Sequence, residues 1–190
     1  MSSREFILAE LQQVKVPQMP MPAIDIEPNN EDLAGQYKEL LAKVGGTLIE
    51  AGSLAEVQAY LDGKIADNEQ VLSLVAGTEG NRKLDASPYT MENVDLALVP
   101  ARIGVAENGA VYVNSADTGH RVTPFIAQNL AAVLKRSDIV ANMHEAVKNV
   151  EFQSGQLGSF IAGPSKTADI EQALVIGAHG ACSMTVFLID

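Results

Sequence analysis

The sequence has very few of the residues that bind metals, clusters or dinucleotides. Its one cysteine, Cys182, excludes an internal disulfide and cannot hold an iron–sulfur cluster that needs four thiolates. The three histidines do not have the spacing of a zinc enzyme. Neither a P-loop nor the glycine fingerprint of dinucleotide-binding proteins is present. The sequence therefore predicts a chain with no metal site and no cofactor of its own.

Long apolar runs and an excess of basic residues are missing as well. The 190 residues carry 24 acidic and 13 basic side chains, and the formal net charge of -11 repels nucleic acid and anionic membranes. The N-terminal segment MSSREFILAEL contains three charged residues, so it resembles neither a secretory signal nor a membrane span. Together with the single cysteine, these features predict a cytoplasmic protein without nucleic-acid partners or membrane insertion.

The first 30 residues differ in pattern from the rest of the chain. Ser2 and Glu5 have the spacing of a capping box, which predicts a short helix at the N-terminus. Four prolines then follow between residues 17 and 28, and they indicate an extended connector. We therefore divide the chain into residues 1–30, a helix with a proline-rich arm, and residues 31–190, one domain. The arm could dock on its own domain or on a partner.

From residue 31 onward, helical and strand patterns alternate. Asn30 precedes a helical stripe that ends at two glycines, and Ser53 with Glu56 forms a capping box before a second helix. Two more helices are predicted, one after Ser137 and one over TADIEQALVI. Strands are predicted over TLIEA, VLSLVA, VDLALV, AVYVN, SFIA and SMTVFLI. This alternation predicts a three-layer α/β domain with a mostly parallel sheet and helices on both faces.

The stretch GPSKT is a candidate anion site. Ser165, Lys166 and Thr167 stand directly before the predicted helix TADIEQALVI, and the N-terminus of a helix attracts anions. Ligands of parallel sheets bind outside the carboxyl ends of the strands, where we expect both this loop and the loop at residues 77–82. The alternative is that Thr167 is only an N-cap and Lys166 a solvated charge.

The stretch GVAENGAVYV and the following arginine are a second set of candidates. Asn108-Gly109 is suited to a tight turn between strands, and Glu107 beside it could act as a base or a nucleophile. The alternative for Glu107 is an exposed hairpin tip. Arg121 could clamp a carboxylate, or it could pair with one of the many acidic residues.

Two stretches carry a resemblance to a known family. GPSKTADIEQALVIGAHG resembles the C-terminal signature of the lactate utilization protein C family (LutC/YkgG), whose domain is called LUD. GVAENGAVYV is similar to an alanine-glutamate-threonine-glycine stretch of that family, with Asn108 at the threonine, and Arg121 lies where the family tends to have an arginine. Lys166 stands where the family usually has an arginine. The resemblance extends over residues 94–190 and is weaker over residues 31–93.

The resemblance implies a fold, a function and a site. The fold is that of ribose-5-phosphate isomerase, glucosamine-6-phosphate deaminase and the coenzyme A transferases, the NagB/RpiA/CoA transferase-like fold. The function is that of an accessory or organising subunit in L-lactate oxidation, with iron–sulfur clusters in partner proteins. Glu107 would be catalytic, because AENG looks like the nucleophile stretch of class I coenzyme A transferases. The residues expected to bind a small anionic ligand are Gly104, Asn108, Gly109, Arg121, Gly163, Pro164, Ser165, Lys166, Thr167, Asp169, His179 and Gly180.

Two other classes of function stay open at this point. One is a free-standing enzyme that resembles a coenzyme A transferase or 5-formyltetrahydrofolate cyclo-ligase, for which Glu107 is the only supporting feature. The other is a ligand-binding regulator that has the fold but catalyses no reaction. The sequence does not decide whether the chain is itself an enzyme.

Overall fold

The computed structural model describes residues 2–14, 17, 19–20, 22, 26–150, 153–170 and 173–190. In chain order its strands are β1 Thr47–Glu50, β2 Val71–Ser73, β3 Leu96–Pro100, β4 Ile103–Val105, β5 Ala110–Asn114, β6 Asn129–Lys135, β7 Ile139–Val140, β8 Gly158–Ile161, β9 Lys166–Ile170, β10 Ala173–Ile176 and β11 Ser183–Ile189. Its α-helices are α1 Ser3–Gln13, α2 Leu33–Lys43, α3 Leu54–Ala66, α4 Ser115–Thr118, α5 Thr123–Ile126 and α6 Met143–Lys148.

The central sheet is parallel throughout. Its five strands lie in the order β1-β11-β6-β3-β2. Strand β6 is in the middle, and its first residue, Asn129, pairs with the first residues of both neighbours, Leu96 and Ser183. All these strands therefore begin at one edge of the sheet, which we call the amino edge. The predicted α/β class with a mostly parallel sheet is confirmed.

The two faces of the central sheet are covered by different elements. Leu130, Ala132 and Leu134 of β6 belong to a core cluster with Tyr37 and Leu41 of α2. The alternate β6 residues, Ala131 and Val133, belong to a separate cluster with Val57 and Leu61 of α3. Side chains of a strand alternate between faces, so α2 and α3 lie on opposite sides. This arrangement explains why the strands read as continuous apolar runs.

A second sheet packs on the α2 side of the first. Its strands lie in the order β7-β4-β5-β8, with β4 and β5 joined as an antiparallel hairpin. Val111 and Val113 of β5 face the cluster that contains α2, whereas Tyr112 faces a third cluster with Ala146 of α6. The sequence did not predict a separate second sheet, because its strands are short and the patterns of β5 and β8 are equally suited to one larger sheet.

The prediction of a helix over TADIEQALVI is wrong. Strands β9 and β10 form an antiparallel hairpin there, in which Thr167 lies opposite Val175 and Lys166 opposite Ile176. The stretch contains β-branched residues that favour strands. Its helical spacing of apolar residues and its apparent N-cap were therefore misleading, since cross-strand pairing, which the local pattern does not show, decides its conformation.

The other helices were predicted with partial success. The capping box of Ser2 and Glu5 is present at α1. Ser53 is the N-cap of α3, but its side chain makes no capping hydrogen bond, and α2 is capped by Asp32 rather than by Asn30. The helix predicted after Ser137 is wrong in its first part, where a 3-10 turn and β7 lie before the short α6.

Candidate functional site

The GPS loop and the histidine-glycine turn meet at one cavity of about 260 Å³. Gly163, Pro164 and Ser165, which follow β8, line it together with His179 and Gly180, which precede β11. The Ser165 amide donates to the carbonyl of Ala181 over 2.9 Å and fixes the two segments side by side. The remaining walls are mostly apolar and come chiefly from Pro124, Phe125, Leu130, Phe160 and Ile161. Five of the residues predicted from the sequence therefore share one cavity.

This cavity lies at the amino edge of the central sheet. Ala181 comes just before β11, and the Cys182 amide donates to the carbonyl of Gln128, the residue before β6. The expectation that GPSKT lies at the carboxyl ends of the parallel strands is wrong. The loop at residues 77–82 does follow the carboxyl end of β2, as expected. No helix begins at Thr167, so the predicted helix-dipole contribution to anion binding is absent as well.

Lys166 is directed at a helix end. Its Nζ donates to the carbonyl oxygen of Val44, the C-cap residue of α2, over 2.6 Å. Gly163 lies beside the same carbonyl: an added Cβ would approach the Val44 oxygen to 2.5 Å, and Gly163 has a φ of +71° that favours glycine. Lys166 is not among the described residues that line the cavity. Thr167 and Asp169 continue along β9, away from the GPS turn.

The Glu107 turn lies on another part of the α2 surface. Gly109 has a φ of +69°, and an added Cβ would approach Cα and N of Leu41 to 2.6 Å. The Asn108 side chain accepts from the Ala110 amide over 3.0 Å, which fixes the predicted tight turn between β4 and β5. The exposed Glu107 accepts through Oε2 from the Met143 amide at the start of α6, over 2.9 Å. This carboxylate therefore joins the hairpin to α6.

Gly104 and Arg121 have separate environments. Gly104 is buried in β4, where an added Cβ would approach Cδ2 of Leu134 to 2.5 Å, so it allows the two sheets to pack closely. Arg121 is exposed and donates through Nη2 to the Gly155 carbonyl. It also lines a very small cavity that shares Phe125 with the larger one.

The GPS loop and the Glu107 turn, which are the two predicted groups of residues, both lie against helix α2. Gly109 contacts its backbone at Leu41 and Gly163 contacts it at Val44, three residues further along. However, Glu107, Asn108 and Gly109 are not among the described residues that line the cavity. The structure thus brings the GPS and histidine-glycine segments together and leaves Glu107 at a separate place.

Sequence reasoning missed the apolar wall that α5 contributes. Pro124 and Phe125 enter the cavity wall because Thr123 is fully buried and donates through its hydroxyl to the Thr118 carbonyl over 2.9 Å. The TPF triplet, with a proline near its start, could have indicated a short turn of helix. Among the described residues, no group of three or more His, Cys, Asp or Glu side chains could hold a metal ion.

Comparisons with known proteins identify the family. Residues 88–189 match the model of the LUD domain. Lactate utilization protein C of Geobacillus thermodenitrificans is 27% identical over 166 residues, which cover 82% of this chain and 68% of that protein. The same-named protein of Anoxybacillus flavithermus is 28% identical over 166 residues, which cover 86% and 73%. That of Shouchella clausii is 30% identical over 115 residues, and the match spans half of its length.

A solved structure has the same fold. A DUF162 family protein from Deinococcus radiodurans superposes with a TM-score of 0.60, and the match covers 84% of this chain and 97% of that one. The two sequences are 18% identical, so the likeness shows the fold alone. In the part of the chain that the structure describes, no helix has the length and apolar character needed to cross a membrane.

Proposed function

This chain belongs to the LUD domain family, and from that premise we propose that it is an accessory or organising subunit of an iron–sulfur system that oxidises L-lactate or a related 2-hydroxy acid. The observation that carries the proposal is the similarity over 166 residues to proteins named lactate utilization protein C. The proposal places the chain in lactate utilization and in the cytoplasm, where its single cysteine stays reduced.

The small number of cysteines in the chain supports an accessory role. Oxidation of a 2-hydroxy acid to a 2-oxo acid releases two electrons and two protons, so the system needs a redox group that accepts electrons. A cluster with four cysteine ligands needs more thiolates than Cys182 supplies. The proposal therefore assigns the clusters to partner proteins.

The cavity at the amino edge is the place that we propose for a small carboxylate ligand. Ser165 and His179 are lining residues with polar side chains, and Phe125 and Leu130 are lining residues with apolar ones. A short 2-hydroxy acid has this division, with a carboxylate and a hydroxyl at one end and an alkyl group at the other. Polar groups in an otherwise apolar cavity would fix its orientation.

The experiment compares the isolated chain with the assembled system. The purified chain is assayed for visible absorbance and for L-lactate-dependent reduction of an artificial electron acceptor. The assay is repeated after co-expression with cysteine-rich iron–sulfur proteins of the kind that the proposal assigns as partners. We expect reduction only in the co-expressed set, with all iron in the partner proteins. Turnover by the isolated chain, or an unchanged rate when this chain is left out of the set, contradicts an accessory role.

A further inference from the structure

Helix α1 presents its apolar side chains to solvent. It contains no buried residue, and Phe6, Ile7 and Leu11 are 57%, 56% and 61% exposed. Ile7, Leu11 and the following Val14 share one face of the helix, at the spacing of a packing stripe. A helix of 11 residues is marginally stable alone in water, and packing of its apolar face is the usual source of stability. Such a helix is suited to packing on another surface.

A matching apolar surface lies at the amino edge of the central sheet. We call it the amino-edge face and define it by the exposed side chains of Phe125, Leu157, Leu174 and Ile176 beside the 260 Å³ cavity, whose interior the proposal leaves to the ligand. Phe125 lines the cavity and Leu157 its small neighbour, while Ile176 pairs with Lys166 next to Ser165. Clustered exposed apolar side chains mark interaction sites more often than scattered ones.

The charges of the two surfaces are complementary. None of the described residues that line the two cavities is acidic, although the chain as a whole has a net charge of -11. Arg121 lines the small cavity, and Lys166 follows Ser165 of the larger one in the chain, with its ammonium at the Val44 carbonyl. Helix α1 carries Glu5 and Glu10 against Arg4, so its net charge is negative. Complementary charges around an apolar contact favour encounter and fix its register.

We propose that α1 of one copy of this chain docks on the amino-edge face of a second copy, and that α1 of the second copy docks on the same face of the first. Docking in trans accounts for the absence of any buried α1 residue within the copy described here. The connection from Val14 to Asp32 contains four prolines and spans up to about 60 Å when extended, which is enough to reach a neighbour.

Docking of both α1 helices also makes the buried area of the interface large enough for a stable dimer. An 11-residue helix is about 16 Å long, so one docked helix covers less than a typical stable interface of about 1,200–2,000 Å². A two-fold symmetric dimer contains the contact twice, and its isologous interface closes without forming a chain of molecules. The proposal thus predicts a dimer of the full chain.

The first experiment measures the dimer by sedimentation equilibrium of the full chain. Leu11→Asp in α1 and Ile176→Asp in the amino-edge face should each weaken the dimer about tenfold or more. Val147→Asp is the matched control, because Val147 is 48% exposed on α6 outside this face, and it should dimerise like the parent. If Ile176→Asp lowers the melting temperature, Leu174→Asp at the neighbouring 66% exposed position replaces it.

Mixing the variants identifies which surfaces meet. Leu11→Asp retains an intact amino-edge face and Ile176→Asp retains an intact α1. In an equimolar mixture the two variants should therefore associate more tightly with each other than either does with itself, but more weakly than the parent, because one of the two contacts remains. A dimer built from two α1 helices would not recover, because one α1 is defective. Three results overturn the proposal: a parent that is monomeric at about 100 µM, a Leu11→Asp variant that dimerises like the parent, and a mixture in which the two variants associate no more tightly than each does with itself. A monomeric parent whose α1 amides resist hydrogen exchange would indicate docking in cis instead.

Discussion

The ammonium of Lys166 donates a hydrogen bond to the carbonyl oxygen of Val44 at the C-terminal end of α2, over 2.6 Å. The contact joins residues 122 positions apart in the chain. It pairs one of the carbonyls that a helix leaves without an internal partner, and it places a positive charge at the negative end of the helix dipole. The lysine of GPSKT therefore helps to hold the loop onto α2.

Replacement of Lys166 by alanine should lower stability. Loss of a charge-assisted hydrogen bond costs about 1.5–3 kcal/mol, and the exposure of Lys166 reduces the expected loss to about 1–2 kcal/mol. Lys38→Ala, which removes an exposed ion pair with Glu50, is the control and should leave stability nearly unchanged, because solvent screens that pair. Urea denaturation measures both. A Lys166→Ala variant that keeps its stability but binds L-lactate or phosphate more weakly would restore the anion-site hypothesis.

Replacement of Gly109 by alanine should be strongly destabilising. The new Cβ would lie 2.6 Å from the Leu41 backbone at a φ of +69°, so strain and overpacking add to at least about 2 kcal/mol. Gly155→Ala is the matched control, because Gly155 also has a positive φ, +85°, but no atom lies within 4 Å of the added Cβ. Only the conformational strain of about 1–2 kcal/mol applies there. Equal losses for the two variants would show that the hairpin does not contact α2 as described.

Replacement of Ala173 by threonine tests whether the segment is a strand. Ala173 is exposed in β10, where a β-branched residue is tolerated or favourable. The same change at the exposed Ala59 in α3 should cost about 0.5–0.7 kcal/mol, because threonine is a poorer helix former than alanine. Thermal and urea melts measure the difference. If Ala173→Thr loses as much stability as Ala59→Thr, a helical conformation of this segment would be supported.

The buried hydroxyl of Tyr37 should make stability fall at alkaline pH. Burial raises the pKa of Tyr37 well above its usual value, and its hydroxyl has no hydrogen-bond partner among the described residues. Because the pKa of Tyr37 is raised in the folded state, the contribution of its neutral form to stability is fully present below the unfolded pKa of about 10. Above about pH 10 the unfolded state loses this proton first, so stability should fall by about 1.4 kcal/mol per pH unit.

Tyr37→Phe provides the comparison for this pH effect. The variant should lose the part of the alkaline slope that comes from Tyr37, and at pH 7 it should be as stable as the parent or about 1 kcal/mol more stable. Tyr89→Phe, at an 86% exposed position, should leave both quantities unchanged. Urea titrations at pH 9 and pH 11 measure the slopes. Parallel slopes for the parent and Tyr37→Phe would refute the assignment.

Glu107 offers a direct test of accessory against catalytic roles. Its carboxylate accepts from the Met143 amide, and a glutamine keeps an acceptor oxygen at that position while removing the nucleophile. Glu107→Gln should therefore leave the rate of the co-expressed lactate-oxidising set within about twofold, with a stability loss below about 1 kcal/mol. Glu107→Ala is the structural comparison and should lose more stability. A rate that falls by orders of magnitude in Glu107→Gln, with the fold intact, would favour the coenzyme A transferase-like enzyme.

The sequence alone was sufficient to predict the fold class and the family. The apolar runs of β2 and β3 indicate strands covered on both faces, and the stripes of α2 and α3 indicate the covering helices. These patterns arise because buried positions take apolar residues, and the type of each residue can be read from the local sequence. The GPSKTADIE and AENG stretches were long enough to indicate the LUD family, and the match over residues 88–189 confirms it.

Only the tertiary structure decided the conformation of residues 166–176 and the place of the candidate site. A helix and a hairpin suit that segment almost equally, and the pairing of Thr167 with Val175 selects the hairpin. Chain order likewise does not show that Ser165 binds Ala181 at the amino edge, or that Lys166 reaches Val44. Local composition specifies which elements form, whereas contacts between distant residues determine which side chains meet, because their partners are absent from the local sequence.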